Sequence, residues 1–271
     1  MSRDVRKFLL QRFAPHREVL MAGSRVLKRG ENEKASGSGP LHHVLYKGHR
    51  FPCEIISRTV WLYHRFTLSL RDVEDLLAER GGGVSYETIR CWCFKFGSQY
   101  AKSIRKKQGH LSDIWHVYEL FVRIRGRQVD LWRAVDQDGD VLDILVTNRR
   151  DKRAAKRFFR KVLKEQGRTP WKLITDKLRT YPAAHREVFP PVGHRTGQYE
   201  NNRAEISHQY TREQERQMRG FKSIQQTQRF LSVHGRIQNL FRVGRHHLKA
   251  AHHRLLRDRA FASWREATCV R

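Results

Sequence analysis

Asp176 follows a short apolar run, Lys172 to Thr175, where an open α/β sheet presents functional groups at the carboxyl end of a strand. As a purely structural residue it would instead cap the next helical segment, Leu178 to Val188. Glu205 opens a second candidate, a helix over about 203–219, in which helical spacing puts Glu205, His208 and Arg212 on one face with Arg216 and Arg219 near its edge. A carboxylate backed by a basic stripe suits a metal ion beside a phosphate backbone. An ordinary solvated helix whose charges complement the macrodipole has the same pattern. Phosphoryl transfer to DNA needs several hard oxygen ligands around magnesium, one ion activating the attacking hydroxyl and one stabilising the leaving oxygen. A third carboxylate from an earlier strand would complete such a set, and none stands on the expected face.

The elements that must position these groups are legible from period and punctuation. Three helices are predicted at about 52–65, 69–80 and 85–96, with Leu70, Val73, Leu76 and Leu77 forming an apolar stripe on the second. Ser69 supplies its N-cap, Gly81-Gly82-Gly83 a stop, and Ser85 the cap of the third. Two short helices across a glycine turn have the plan of a helix-turn-helix, with Arg90 and Lys95 exposed for DNA on the second; a plain three-helix bundle shares that plan. Alternation then predicts strands at Ile114–Ile124, Val129–Val135 and Val141–Val146 as an antiparallel meander. Asp136, Asp138 and Asp140 invite a calcium-loop reading, but Gly139 is misplaced for one and an Asp-Gly hairpin turn accounts for them. An amphipathic helix over 151–166 carries Ala155, Phe158, Phe159 and Val162 inside and a basic outer face. Three antiparallel strands, a helix and another strand follow the order of a ribonuclease-H-like α/β fold, an order that other α/β domains also share. Phe230, Val233, Ile237, Leu240 and Phe241 form a further helical stripe, for core or for a dimer surface.

Composition narrows the partner. The chain of 271 residues has 55 Lys and Arg against 27 Asp and Glu, a formal charge of +28 with pI near 10.8. A charge of that size points to a polyanion, because clustered cations release counterions from phosphates. Six Trp and fourteen Phe provide for a folded core. Cys53, Cys91, Cys93 and Cys269 fit neither a zinc site nor a disulfide framework, which suits a reduced, cytoplasmic chain. No apolar run reaches membrane-spanning length, so no membrane partner is expected. His246, His247, His252 and His253 lie among Arg and Lys and read as a basic helix face.

In order along the chain stand Trp115-His116-Val117-Tyr118-Glu119, Trp132-Arg133-Ala134-Val135-Asp136, Arg149-Arg150-Asp151-Lys152, Ile174-Thr175-Asp176-Lys177, Asn201-Asn202-Arg203-Ala204-Glu205 and Met218-Arg219-Gly220-Phe221-Lys222-Ser223. Over roughly residues 49–267 this set resembles the DDE transposases of the insertion-sequence-six family of bacterial insertion sequences. The resemblance implies a helix-turn-helix domain over 49–107 that recognises terminal inverted repeats of double-stranded DNA, and a catalytic ribonuclease-H-like domain over 108–223 using two magnesium ions. It places the family's second Asp on Asp176, its Glu on Glu205 and its basic residue on Arg212. Asp176 and Glu205 become the expected catalytic and metal-binding residues, and Arg90, Lys95, Lys177, His208, Arg212 and Arg216 the expected DNA contacts. It also implies a homodimer or higher oligomer on DNA, since joining two element ends takes at least two protomers, and a nucleoid-associated location. Residues 1–48 would be a poorly ordered basic extension and 224–271 a basic helical region. One departure matters: the family's first Asp falls on Tyr118, neutral near pH 7 and a poor magnesium ligand. Glu119 is one residue along and so points to the opposite strand face unless a bulge turns it. The expectation is therefore a transposase with impaired cleavage and strand transfer. The alternative is a non-catalytic DNA-binding relative that represses or inhibits transposition.

Overall fold

The computed structural model describes residues 45–107, 109, 112–196, 211–242 and 249–269. In chain order the elements are helices α1 (Cys53–Arg65), α2 (Leu70–Ala78) and α3 (Tyr86–Lys107), and strands β1 (Ile114–Ile124), β2 (Arg127–Asp136) and β3 (Val141–Thr147). Helix α4 (Lys152–Gln166), strand β4 (Lys172–Thr175), helix α5 (Thr180–Val188), strand β5 (Gly193–Arg195) and helices α6 (Ile224–Phe241) and α7 (Ala250–Thr268) follow. Residues 211–217 add a short helical stretch. The described residues group into two compact units, those up to Ser103 with those after Arg242, and those from Ile104 to Arg242.

In the helical unit, α2 begins with a capping box in which Ser69 Oγ accepts from Asp72 N–H while Asp72 accepts from Ser69 N–H. The glycine turn after it uses Gly81 at φ 78°, a left-handed conformation open to glycine at little cost. Glu74 accepts from the backbone N–H of Tyr86 at 3.0 Å, tying α2 to the first turn of α3. The third helix was expected to end near Gly97 but runs on to Lys107. An interior glycine costs a helix only about 1 kcal/mol, and the burial of Phe96 and Tyr100 on either side of it outweighs that. Helix α7 closes this unit: Trp264 meets Tyr100 edge to face at 5.4 Å, and the Tyr46 hydroxyl donates to Thr268 O at 2.7 Å.

The second unit is built on a five-stranded sheet of order β3-β2-β1-β4-β5. The first three strands are antiparallel, while β4 runs parallel to β1 and β5 parallel to β4. The β1–β2 turn uses Arg125 at φ 50° and Gly126 at φ 80°, the positive pair that a tight hairpin demands. At the β2–β3 turn Asp136 accepts from the backbone N–H groups of Asp138 and Asp140, both at 2.9 Å. This is an Asx-type turn, as the hairpin reading expected. Asp151 caps α4 through Ala154 N–H at 2.7 Å, and Gly167 at φ 68° ends it. Helices α4 and α5 bury Phe158, Phe159, Tyr181 and Phe189 against Trp115, Val117, Trp132 and Leu173 on one face of the sheet.

The exposed edge of β3 is covered by α6, whose side chains stand in for a neighbouring strand. Asn239 accepts from Val141 N–H and donates to Val141 O, at 2.9 and 3.0 Å. Gln228 does the same for Val146 N–H and Ile144 O, at 2.8 and 2.9 Å, and Arg236 donates to Leu142 O at 2.7 Å. An edge so occupied cannot pair with another chain. The approach is close enough that a Cβ on Gly235 would lie 3.1 Å from Val141 Cγ1. The α6 stripe of Phe230, Val233, Ile237 and Phe241 is buried core, with Leu240 half-buried. This strand order, with helices on the sheet, is the ribonuclease-H-like architecture expected from the sequence, preceded by a helical region.

Burial, reinforced by the neighbouring Asp136 charge, pushes the Asp140 carboxyl up to about 7. The fold therefore binds the proton more tightly than the unfolded chain does, with its carboxyl near 3.9. Stability at this position is full at low pH and falls as pH rises towards 7. Asp140→Asn removes that loss. Its Tm should exceed the parent's by roughly 8–16 °C at pH 7.5, from about 4 kcal/mol of pH-dependent loss at about 2–4 °C per kcal/mol, with the gap closing towards pH 4. Thermal melts across this range check the sign.

Candidate functional site at the carboxyl end of the parallel strands

The site grows out of one register. In the parallel β1–β4 ladder Trp115 pairs with Leu173, His116 with Ile174 and Val117 with Thr175. Trp115, Val117 and Leu173 enter the core beneath α4 and α5, so alternation sends His116, Tyr118 and Ile174 to the other face. Asp176 is the next residue after the last pair, level with Tyr118. Register and alternation thus bring together two of the residues singled out in the sequence, at the strand ends where α/β sheets place their ligands.

Tyr118 is buried and stands opposite Arg133 of β2. The Arg133 guanidinium is also buried and donates to Thr211 Oγ1 at 3.1 Å; burial pulls its pKa down. Asp176 is half-buried and accepts from Leu178 N–H at 3.3 Å. That bond belongs to the turn before α5, whose N-cap position is Arg179, so Asp176 is not the helix cap. Burial raises its carboxyl above the usual range, opposed by the Leu178 hydrogen bond and the Arg150 charge.

Glu119 faces the other way. The β1–β2 register runs without a break from Trp115–Asp136 to Ile124–Arg127, so no bulge turns it towards Tyr118. Its buried carboxylate takes an ion pair from Arg150 and a hydrogen bond from the Tyr181 hydroxyl. Arg150 also lies over the Phe121 ring, 5.5 Å from its centroid. Burial drives the Tyr181 phenol far up, helped by the nearby Asp176 charge. Arg150 and Tyr181 are the site neighbours that sequence reasoning missed. A carboxylate at a core-facing strand position was their only signal, because such a group requires a cation or hydrogen-bond donor.

The remaining candidates divide. Glu205 and His208 lie outside the described residues, as do residues 1–44 and the His246-His247 pair. Arg212 and Arg216 are exposed on the 211–217 stretch, which Thr211 ties to Arg133 on the sheet. On the same stretch burial raises the Glu215 carboxyl, opposed by a hydrogen bond from the Arg123 backbone. Lys177 is exposed beside Asp176. In the helical unit Arg90 makes an exposed pair with Glu87, and Lys95 Nζ lies 2.7 Å from His49 Nε2. His252 is exposed on α7, and among the described residues no group of three His, Cys, Asp or Glu could hold a metal ion. All four cysteines are free, and no described helix is long and apolar enough to cross a membrane.

Residues 112–244 match a family described as a DDE domain. The chain is 31% identical over 175 residues to the transposase for insertion sequence-like element IS431mec of Staphylococcus aureus, covering 63% of this chain and 77% of that protein. It is 30% identical, over the same shares, to the transposase for insertion sequence element IS257 in transposon Tn4003 of the same species. Among solved structures the likeness is slighter: the HTLV-2 integrase catalytic core domain in complex with magnesium is 13% identical at TM-score 0.35, over 51% of this chain and 90% of that one. On the sequence matches over most of their length, the chain belongs to the insertion-sequence-six family of DDE transposases.

Proposed function

We propose that this transposase binds the terminal inverted repeats of an insertion sequence as a homodimer or higher oligomer, with little or no cleavage and strand transfer of its own. The observation that carries the reading is Tyr118, which stands on β1 one position beyond the last β1–β4 pair, as Asp176 does after β4, where the resemblance puts the family's first carboxylate. The described donors there do not fit a pair of magnesium ions. Asp176 is one carboxylate; Tyr118 offers a phenol that is neutral near pH 7; and both oxygens of Glu119 are already engaged, by Arg150 and Tyr181. Glu205, the family's last ligand, adds one carboxylate where three are normally shared. Magnesium demands near-octahedral oxygen ligation and gives up water reluctantly, so losing one carboxylate removes charge and geometry together. The fold does not depend on that ligand, because a buried Tyr packs where an Asp would need a counter-ion. Acting as a repressor or inhibitor of active relatives is the use that binding without cutting would serve.

Tyr118→Asp should restore magnesium- or manganese-dependent strand transfer of labelled terminal-repeat DNA by at least tenfold over the parent, which should be at background. Robust cleavage by the unmodified chain would falsify the impairment. A folded, DNA-binding Tyr118→Asp protein that stays inactive would place a further lesion elsewhere.

Recognition is assigned to α3, entered through the glycine turn from α2, with Arg90 and Lys95 reaching DNA. Their present partners, Glu87 and His49, form exposed contacts that are weak and that a phosphate can displace. Replacing both with Ala should lower the slope of log K against log salt by about one unit for each phosphate interaction removed. An unchanged slope in a filter-binding titration would leave them as solvated charges.

A further inference from the structure

Helix α4 carries two kinds of basic residue. Lys152 and Lys156 on one flank both pair with Glu187 of α5, and Lys161 on the other pairs with Asp143 of β3. Arg153, Arg157, Arg160 and Lys164 are all exposed and, among the described residues, none has an acidic partner. Their spacing of i, i+4, i+7 and i+11 puts them within roughly 60° of the helix circumference, in a row about 16 Å long. We propose that this outward row is a phosphate-backbone contact for duplex DNA, separate from the helix-turn-helix and indifferent to sequence.

Three observations favour it over a merely solvated face. Like charges three and four residues apart oppose helix formation, and Arg153 in the first turn also opposes the macrodipole, whose N-terminal end the Asp151 cap serves instead. The same helix neutralises its other cations, so the unneutralised row is confined to one face. The row also matches a regular polyanion: about 16 Å spans roughly five phosphates of one strand along the duplex axis.

The chemistry of that face selects the partner. Single-stranded nucleic acid is held by aromatic platforms as well as charge, and none of the exposed large apolar side chains of the described chain lies on α4. A membrane surface would need an apolar face to insert, whereas the apolar side of α4, with Phe158, Phe159 and Val162, is core. Cations alone, in a straight row on a rigid helix, suit a duplex backbone.

The inference deepens the DNA-binding reading but is tested apart from it. The full chain with Arg153→Ala, Arg157→Ala, Arg160→Ala and Lys164→Ala is titrated over salt with two duplexes of equal length, one terminal-repeat and one random. The slope of log K against log salt should fall by about two to four units on both duplexes, with the ratio of the two affinities unchanged. A companion variant with Arg153→Lys, Arg157→Lys and Arg160→Lys should keep the parent slope, since point charges suffice. Circular dichroism should give the alanine variant the parent's helix content and an equal or higher Tm, as repulsion is relieved. An unchanged slope on both duplexes, in a folded protein, overturns the inference; so does a loss confined to the terminal repeat, which would make the row a sequence reader. A parent with equal affinity for both duplexes would sink the terminal-repeat reading while leaving the row's test intact.

Discussion

Strand alternation in β1 is the constraint from which the rest of the catalytic unit follows. Its odd positions, Trp115 and Val117, sink into the core that α4 and α5 cover. Its even positions, His116 and Tyr118, turn to the face where Arg133 receives the 211–217 stretch. The parallel ladder to β4 then decides what stands beside each of them, and Asp176 comes level with Tyr118 by register alone. A one-residue slip would exchange the two faces, bringing Glu119 beside Asp176 and driving Tyr118 into the apolar core. The large aromatic residues of the core oppose that slip strongly, since each contributes on the order of 1.5–3 kcal/mol by burial.

Glu119 illustrates how that constraint acts on chemistry. In one dimension it is the obvious replacement for a missing carboxylate, one residue away. In the fold it is already committed, with one oxygen to Arg150 and the other to Tyr181. Reorienting Glu119 towards Asp176 would leave the buried Tyr181 hydroxyl without its acceptor as well as bend the strand. The ion pair with Glu119 holds Arg150 where its charge reaches Asp176.

The outer strand shows a second device. Edge strand β3 is met by side-chain amides and a guanidinium from α6, aligned with successive backbone groups. Those residues, Gln228, Arg236 and Asn239, are polar positions interleaved with the apolar stripe of the helix. Their role cannot be assigned until the helix is laid along the strand, because a polar residue at such spacing looks like solvent-facing surface.

Local chemistry determined much of this protein from its sequence. The bounds of β1 and β4, the Asp-Gly turn, the Ser69 cap and the inward face of α4 all follow from interactions within a few residues, which a linear chain displays. The motif order carried the family, and the charge carried the class of partner. Tertiary structure decided what depends on distant packing. Helix α3 passes Gly97 because Tyr100 finds a core. Helix α6 belongs with the sheet while α7 returns to the first helices. Tyr118 and Asp176 become neighbours, and Glu119 is withdrawn from them, only once β4 has paired with β1 in a particular register. That pairing joins residues far apart in sequence, and no local preference encodes which of two adjacent side chains will face the site.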